Sequence, residues 1–223
     1  MTSGTTTMVR FMGKIVASYT HEVKNVLSVI SESNGLMQDL LGLENAGHWA
    51  GKEKFERSVQ LIEKNVSTGE ELSTKLNQFA HSTDYPISTV DVTEALRMLT
   101  ILCRKIASRQ QVVFRIVEPE QNIYCKTRHI ELLAAIYYCM ETLFPAAAKH
   151  SEIAITVRQD QTGVRLLFAC DSLKDAVESF AEIVKSTESW GLASEIIQPL
   201  QGGLSVHEGE TGIELLLPIS LPE

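Results

Sequence analysis

Two stretches of this chain carry apolar residues at alternating steps of three and four, which limits its possible folds more than any other feature. In the first, Met8, Met12, Ile15, Tyr19, Val23, Val26, Ile30, Met37 and Leu40 follow one another, with a polar gap at Ser33 and Asn34. In the second the series is Phe55, Val59, Ile62, Val66, Gly69, Leu72, Leu76 and Phe79. A period near 3.5 gives each helix one narrow apolar seam. The link between them, residues 42–51, contains Gly42, Gly47 and Gly51 and suits a turn between antiparallel helices. A lone hairpin cannot cover both seams, whereas two copies joined as a four-helix bundle can. The expectation is a homodimer.

The pattern changes after Thr83-Asp84-Tyr85-Pro86, and Pro86 marks a boundary between a helical hairpin over 1–84 and a second domain over 85–223. In that second part, Ile87–Val90 reads as a short strand, and Asp91 can cap a helix reaching to about Ser108. Gln111–Val117 and Asn122–Cys125 read as strands. Arg128–Lys149 reads as an apolar helix that Pro145 kinks or ends. Ile153–Val157 and Val164–Ala169 form a hairpin around Gln161-Thr162-Gly163. Helices follow at about Ser172–Lys185 and Ser189–Leu200, then a last hairpin of Gly203–His207 and Gly212–Pro218. This order predicts an α+β chain: a bundle-forming hairpin, then a two-layer α/β sandwich.

Bulk properties exclude several classes. Over 223 residues the net charge is −8, which argues against nucleic acid as the main partner, since phosphate binding needs a basic face. No apolar run approaches the roughly 18–20 residues that span a bilayer, so no membrane role is expected. The opening residues lack a signal peptide's basic, apolar and cleavage regions in order. Cys103, Cys125, Cys139 and Cys170 form no C-x-x-C pair and read as buried free thiols in a reducing cytoplasm. His48, His81, His129, His150 and His207 show no metal-ligand spacing and read as structural or solvated, so no bound metal is expected.

Within the first seam helix stands His21-Glu22-Val23-Lys24-Asn25. His21 lies two residues beyond the seam residue Tyr19, and Asn25 is one turn further on the same flank. The trio therefore faces away from the seam, where a partner can dock. A free imidazole titrates near about pH 6.5, so a neutral ring nitrogen is available as a nucleophile at neutral pH. Glu22 can accept a hydrogen bond from one ring nitrogen and leave the other free to attack phosphorus.

The segment H-E-V-K-N-V-L-S resembles the H-box of bacterial sensor histidine kinases, with Val26 where a proline is common. Near the C-terminus, W-G-L-A-S-E-I-I-Q-P-L-Q-G-G-L-S-V-H resembles the end of the kinase ATP-binding domain: a helix, a Gly-Gly turn and a strand. The resemblance covers nearly the whole chain and implies a dimerisation and phosphotransfer hairpin followed by an ATPase-like sandwich. The nucleotide motifs depart from the family. Thr142 stands at the position of the Mg²⁺-binding asparagine, and a hydroxyl is a poorer ligand there. The adenine motif becomes Asp171-Ser172-Leu173-Lys174-Asp175 without its glycines. The glycine-rich lid becomes Ser186-Thr187-Glu188-Ser189-Trp190-Gly191, which adds bulk and negative charge. Glu141 and Asp171 are relics of family positions.

Read this way, the resemblance implies a histidine phosphotransferase of the ChpT type. Such a protein relays phosphoryl groups between response-regulator receiver domains through His21, without ATP, in a cytoplasmic phosphorelay. Glu22 and Asn25 are the other catalytic candidates, Mg²⁺ comes with the receiver, and an upstream hybrid histidine kinase is a further partner. The alternatives are a receiver phosphatase using Glu22 and Asn25, and a non-catalytic pseudokinase that binds a kinase or regulator.

Overall fold

The computed structural model describes residues 3–42, 51–174, 179–207 and 211–222. The glycine-bearing link after Gly42, His48, Asp175 and the turn of the last hairpin lie outside the described residues.

Helices α1 (Ser3–Gly42) and α2 (Lys52–His81) pair along their length. Tyr19 Oη and Ser73 Oγ lie 3.5 Å apart, and Val26 Cγ1 comes close to Gly69. The buried positions of α1 differ from the expected seam. Phe11, Ile15, Ser18, Val26 and Ser33 are buried, whereas Met8, Met12, Tyr19, Val23 and Ile30 are half-buried. The reason is that α1 serves two neighbours. One side meets α2, and an adjacent side meets the helices of the second part. Val9, Val16 and Leu27, spaced 7 and 11 residues apart, share a third face that stays exposed.

Ser82 ends α2 by donating its hydroxyl to the Phe79 carbonyl at 2.6 Å. β1 (Ser88–Asp91) then pairs antiparallel with β3 (Tyr124–Thr127). Asp91 caps α3 (Val92–Leu102) as expected, its Oδ1 accepting from the amides of Thr93 and Glu94 at 3.0 Å each. The single helix expected to reach Ser108 is broken. At Cys103 the backbone leaves the helical region, and a separate α4 covers Arg104–Arg109. α5 (His129–Leu143) stops before Pro145, which has no amide hydrogen to continue the ladder.

A five-stranded mixed sheet has the order β2-β4-β5-β7-β6: β2 (Val113–Val117), β4 (Glu152–Asp160), β5 (Gly163–Cys170), β7 (Gly212–Leu217) and β6 (Gly203–His207). β2 runs parallel to β4, and the other neighbours are antiparallel. Alternate residues Ile153, Ile155, Leu166, Phe168, Ile213 and Leu215 are wholly buried on one face. Against that face lie α3, α5 and α7 (Glu188–Ile197). Close backbone approach requires glycine at Gly163, Gly202 and Gly212. Gly163 has φ +153° and a Cβ there would meet the Leu217 carbonyl at 2.2 Å; one on Gly202 would meet the Leu216 carbonyl at 2.6 Å.

Of the helix expected over about Ser172–Lys185, the described residues show α6 (Phe180–Lys185), and 175–178 lie outside them. Leu173 forms a bridge to Ala147, and the Lys174 amide donates to the Ala146 carbonyl, so this backbone is bound in extended form instead.

The hairpin and the sandwich share one core. Phe11 packs against Phe79, Tyr137 and Tyr138, with ring centroids 5.6, 5.4 and 6.4 Å away. All four thiols are buried, and burial pushes each of them up, which disfavours the nucleophilic thiolate.

Candidate functional site

His21, Glu22 and Asn25 are brought together by α1 alone, because residues three and four apart are neighbours on a helix. Asn25 Nδ2 lies 3.2 Å from His21 Nδ1 and 3.5 Å from Glu22 Oε1. The ring nitrogen thus meets the amide of Asn25 rather than the carboxylate of Glu22, and the amide links the two. His21 and Glu22 are half-buried and Asn25 is exposed. When Nδ2 donates to Nδ1, the neutral ring carries its proton on Nε2. A half-turn of the amide puts its oxygen there instead, holding an Nδ1–H and freeing the Nε2 lone pair. Asn25 can therefore set which ring nitrogen is nucleophilic.

The trio stands over the junction of α3 and α4. One turn before His21, the Ser18 hydroxyl donates to the Leu102 carbonyl at 2.7 Å and pins α1 to that junction. Val26, beyond the trio, packs against α2. A long helix clamped on both sides of its reactive segment is a rigid platform, which favours reactions that depend on alignment.

The residues that the resemblance aligned with nucleotide motifs make contacts within the chain. Thr142 is fully buried and its hydroxyl donates to the Tyr138 carbonyl at 2.8 Å. Asp171 Oδ1 accepts from the Glu152 amide at 2.9 Å. Glu188 pairs with Arg10 of α1. Glu141 is the centre of a network: Lys14 Nζ donates to its two oxygens at 2.6 and 2.8 Å, the Tyr137 hydroxyl at 2.9 Å, and Ser189 Oγ at 2.8 Å. Burial and the Glu141 carboxylate push the Tyr137 phenol up, so it remains a donor. Lys14, Glu141 and Ser189, with the Arg10–Glu188 pair, tie α1 to α5 and α7. Among the described residues no group of three side chains could hold a metal ion, and no helix is long and apolar enough to cross a membrane.

The sequence reading missed Lys14 and Phe11. The signal available for both was a second stripe on α1, Phe11, Lys14, Ser18 and Asn25, at helical spacing beside the seam.

The chain matches no protein-family model and no curated protein. Among solved structures it is similar to the histidine kinase AdeS of Acinetobacter baumannii, at 10% identity over 89% of this chain and 98% of that one, with a TM-score of 0.47. A bacterial phosphotransferase shares 12% identity over 96% of each chain, TM-score 0.49. The histidine kinase ThkA, solved in complex with the response regulator TrrA, shares 14% over 94% of this chain and 61% of that one, TM-score 0.46. Likeness at this level assigns no residue a role.

Proposed function

We propose that this chain is a histidine phosphotransferase that exchanges phosphoryl groups with receiver domains through His21, without ATP. The observation that carries the reading is the arrangement of His21: one ring nitrogen is held by Asn25 and the other is left for a partner. In the forward step Nε2 attacks the phosphorus of a receiver's aspartyl phosphate. The N–P bond forms, the acyl P–O bond breaks, and the aspartate leaves as carboxylate. With the Asn25 amide turned so that its oxygen faces the ring, the proton on Nδ1 stays hydrogen-bonded to that oxygen, which offsets the positive charge gained by the ring. The reverse step passes the group to a second receiver. Mg²⁺ belongs to the receiver, and a hybrid kinase is the upstream source. Radiolabelled receiver domains mixed with the protein test the reading: label is expected to move onto this chain, and no transfer from any receiver would refute it.

The active form in this reading is a homodimer. The exposed stripe of Val9, Val16 and Leu27 on α1, with Leu61 and Val66 on α2, leaves apolar surface that a second hairpin would cover. Leu27→Glu is expected to shift the protein from dimer to monomer in light scattering while leaving its circular dichroism unchanged.

One observation favours a second reading, as a receiver phosphatase. Asn25 is exposed and its amide bridges His21 and Glu22, so it could orient a water on an aspartyl phosphate. Asn25→Ala separates the two. The phosphotransfer reading expects about a 10-fold slower transfer that still labels His21. Accelerated receiver dephosphorylation that survives His21→Ala and is lost in Asn25→Ala would favour the phosphatase.

A further inference from the structure

In a chain of net charge −8, residues 102–117 carry Arg104, Lys105, Arg109 and Arg115 and not one carboxylate. Arg115 is balanced by Glu152 at 2.5 Å, and Arg104 reaches Glu71 at 4.0 Å. Lys105 and Arg109 have no ion-pair partner among the described residues. They stand one turn apart on α4, where like charges repel and weaken a helix.

This helix begins at the height of His21 on the hairpin. Leu102, just before it, accepts the hydrogen bond from Ser18, one turn below His21. Arg104 points to Glu71 of α2, whose neighbours Gly69 and Ser73 face Val26 and Tyr19 of α1. From there a groove of about 630 Å³ continues along α4 and the outer edge of β2. It is lined by the apolar Ile101, Val113 and Phe114 and by Arg104, Ser108 and His150, while Lys105 and Arg109 stand outside it, each one residue on from a lining position of α4. Val113, at the start of the edge strand β2, is 61% exposed.

We propose that α4 and this groove are a second docking element for the protein that exchanges phosphate with His21, with Lys105 and Arg109 meeting carboxylates on its surface. The proposal rests on the phosphotransfer reading. Charge selects the occupant. A domain that binds Mg²⁺ beside an aspartyl phosphate presents clustered carboxylates around its reactive face. The chain as a whole is acidic and repels such a face, so attraction near His21 comes from local cations: the exposed Lys24 of α1 and the pair on α4. The patch also sets orientation, because a partner seated on both His21 and α4 has only one way to turn.

The test compares wild type with Lys105→Glu/Arg109→Glu, using receiver domains of the same genome, each phosphorylated with radiolabelled acetyl phosphate. With the receiver that labels wild type, the second-order transfer rate is expected to fall about 10-fold or more. The rate at saturating receiver should stay near wild type. Wild-type transfer should slow as salt is raised from about 0.05 to about 0.5 M, and the variant's should change little. Lys105→Gln/Arg109→Gln should fall between them, and circular dichroism should show all three folded. Equal rates and equal salt dependence in wild type and variant would overturn the docking proposal while leaving transfer through His21 intact. Absence of label on wild type from every receiver would overturn the phosphotransfer reading itself, and the docking proposal with it. If a single-stranded oligonucleotide bound wild type but not the variant, with transfer unchanged, the patch would belong to nucleic acid and the proposal would fall.

Discussion

His21→Ala is expected to abolish phosphoryl label on the protein, lowering transfer by about 10³-fold or more, to background. The size follows from chemistry: the group forms a covalent bond to this nitrogen, and alanine offers none. Stability should hardly change, because the ring is half-buried and its hydrogen bond is made within one exposed helix turn. A melting temperature within about 2 °C of wild type would show this. His81 on α2 is the control. It lies exposed beside Asp84, at 2.8 Å, and His81→Ala should keep full transfer. Label on His21→Ala equal to that on wild type would place the chemistry elsewhere.

Phe11→Ala is expected to have the largest effect on stability, about 3–5 kcal/mol. The Phe11 ring has no exposed surface and is enclosed by Phe79 of α2 and by Tyr137 and Tyr138 of α5. Removing it leaves a cavity where the hairpin packs its aromatic residues on the sandwich, and three aromatic rings cannot collapse into it without leaving their own contacts. For a domain of this size that loss corresponds to a fall of roughly 10 °C in melting temperature, or an equivalent shift in urea midpoint. Nearby, Lys14 Nζ lies 5.3 Å from the Tyr137 ring centroid and 2.6 Å from Glu141, so the loosened contact would also disturb that network. A loss below about 1 kcal/mol would mean that α1 is not docked on α5 in solution.

The two effects fall on one helix, ten residues apart, and they were not equally legible. His21, Glu22 and Asn25 could be grouped from the sequence because their proximity depends only on helix geometry. Asp91 as a cap, Pro145 as a stop and the hairpin turn at Gly163 were legible for the same reason, since each acts within a few residues. The break at Cys103 was hidden, because residues 91–108 carry no proline or glycine to mark it. The extended path at Leu173 was hidden too, since its backbone partner Ala147 is remote in sequence.

Phe11 shows why the rest stayed out of reach. It lies beside the seam, and the reading gave α1 a single apolar stripe to bury. Its burial depends on Tyr137 and Tyr138, more than a hundred residues away. The Lys14–Glu141 contact likewise joins distant segments, and composition says nothing about which lysine meets which glutamate. The nucleotide positions illustrate the division. The sequence alone determined that Thr142 and Glu188 stand where the resemblance places a ligand and a glycine-rich lid. Only the tertiary structure decided that Thr142 turns into the core and that Glu141 and Glu188 hold α1 instead. A helix places its own neighbours by its period, whereas contacts between helices depend on how the whole chain packs.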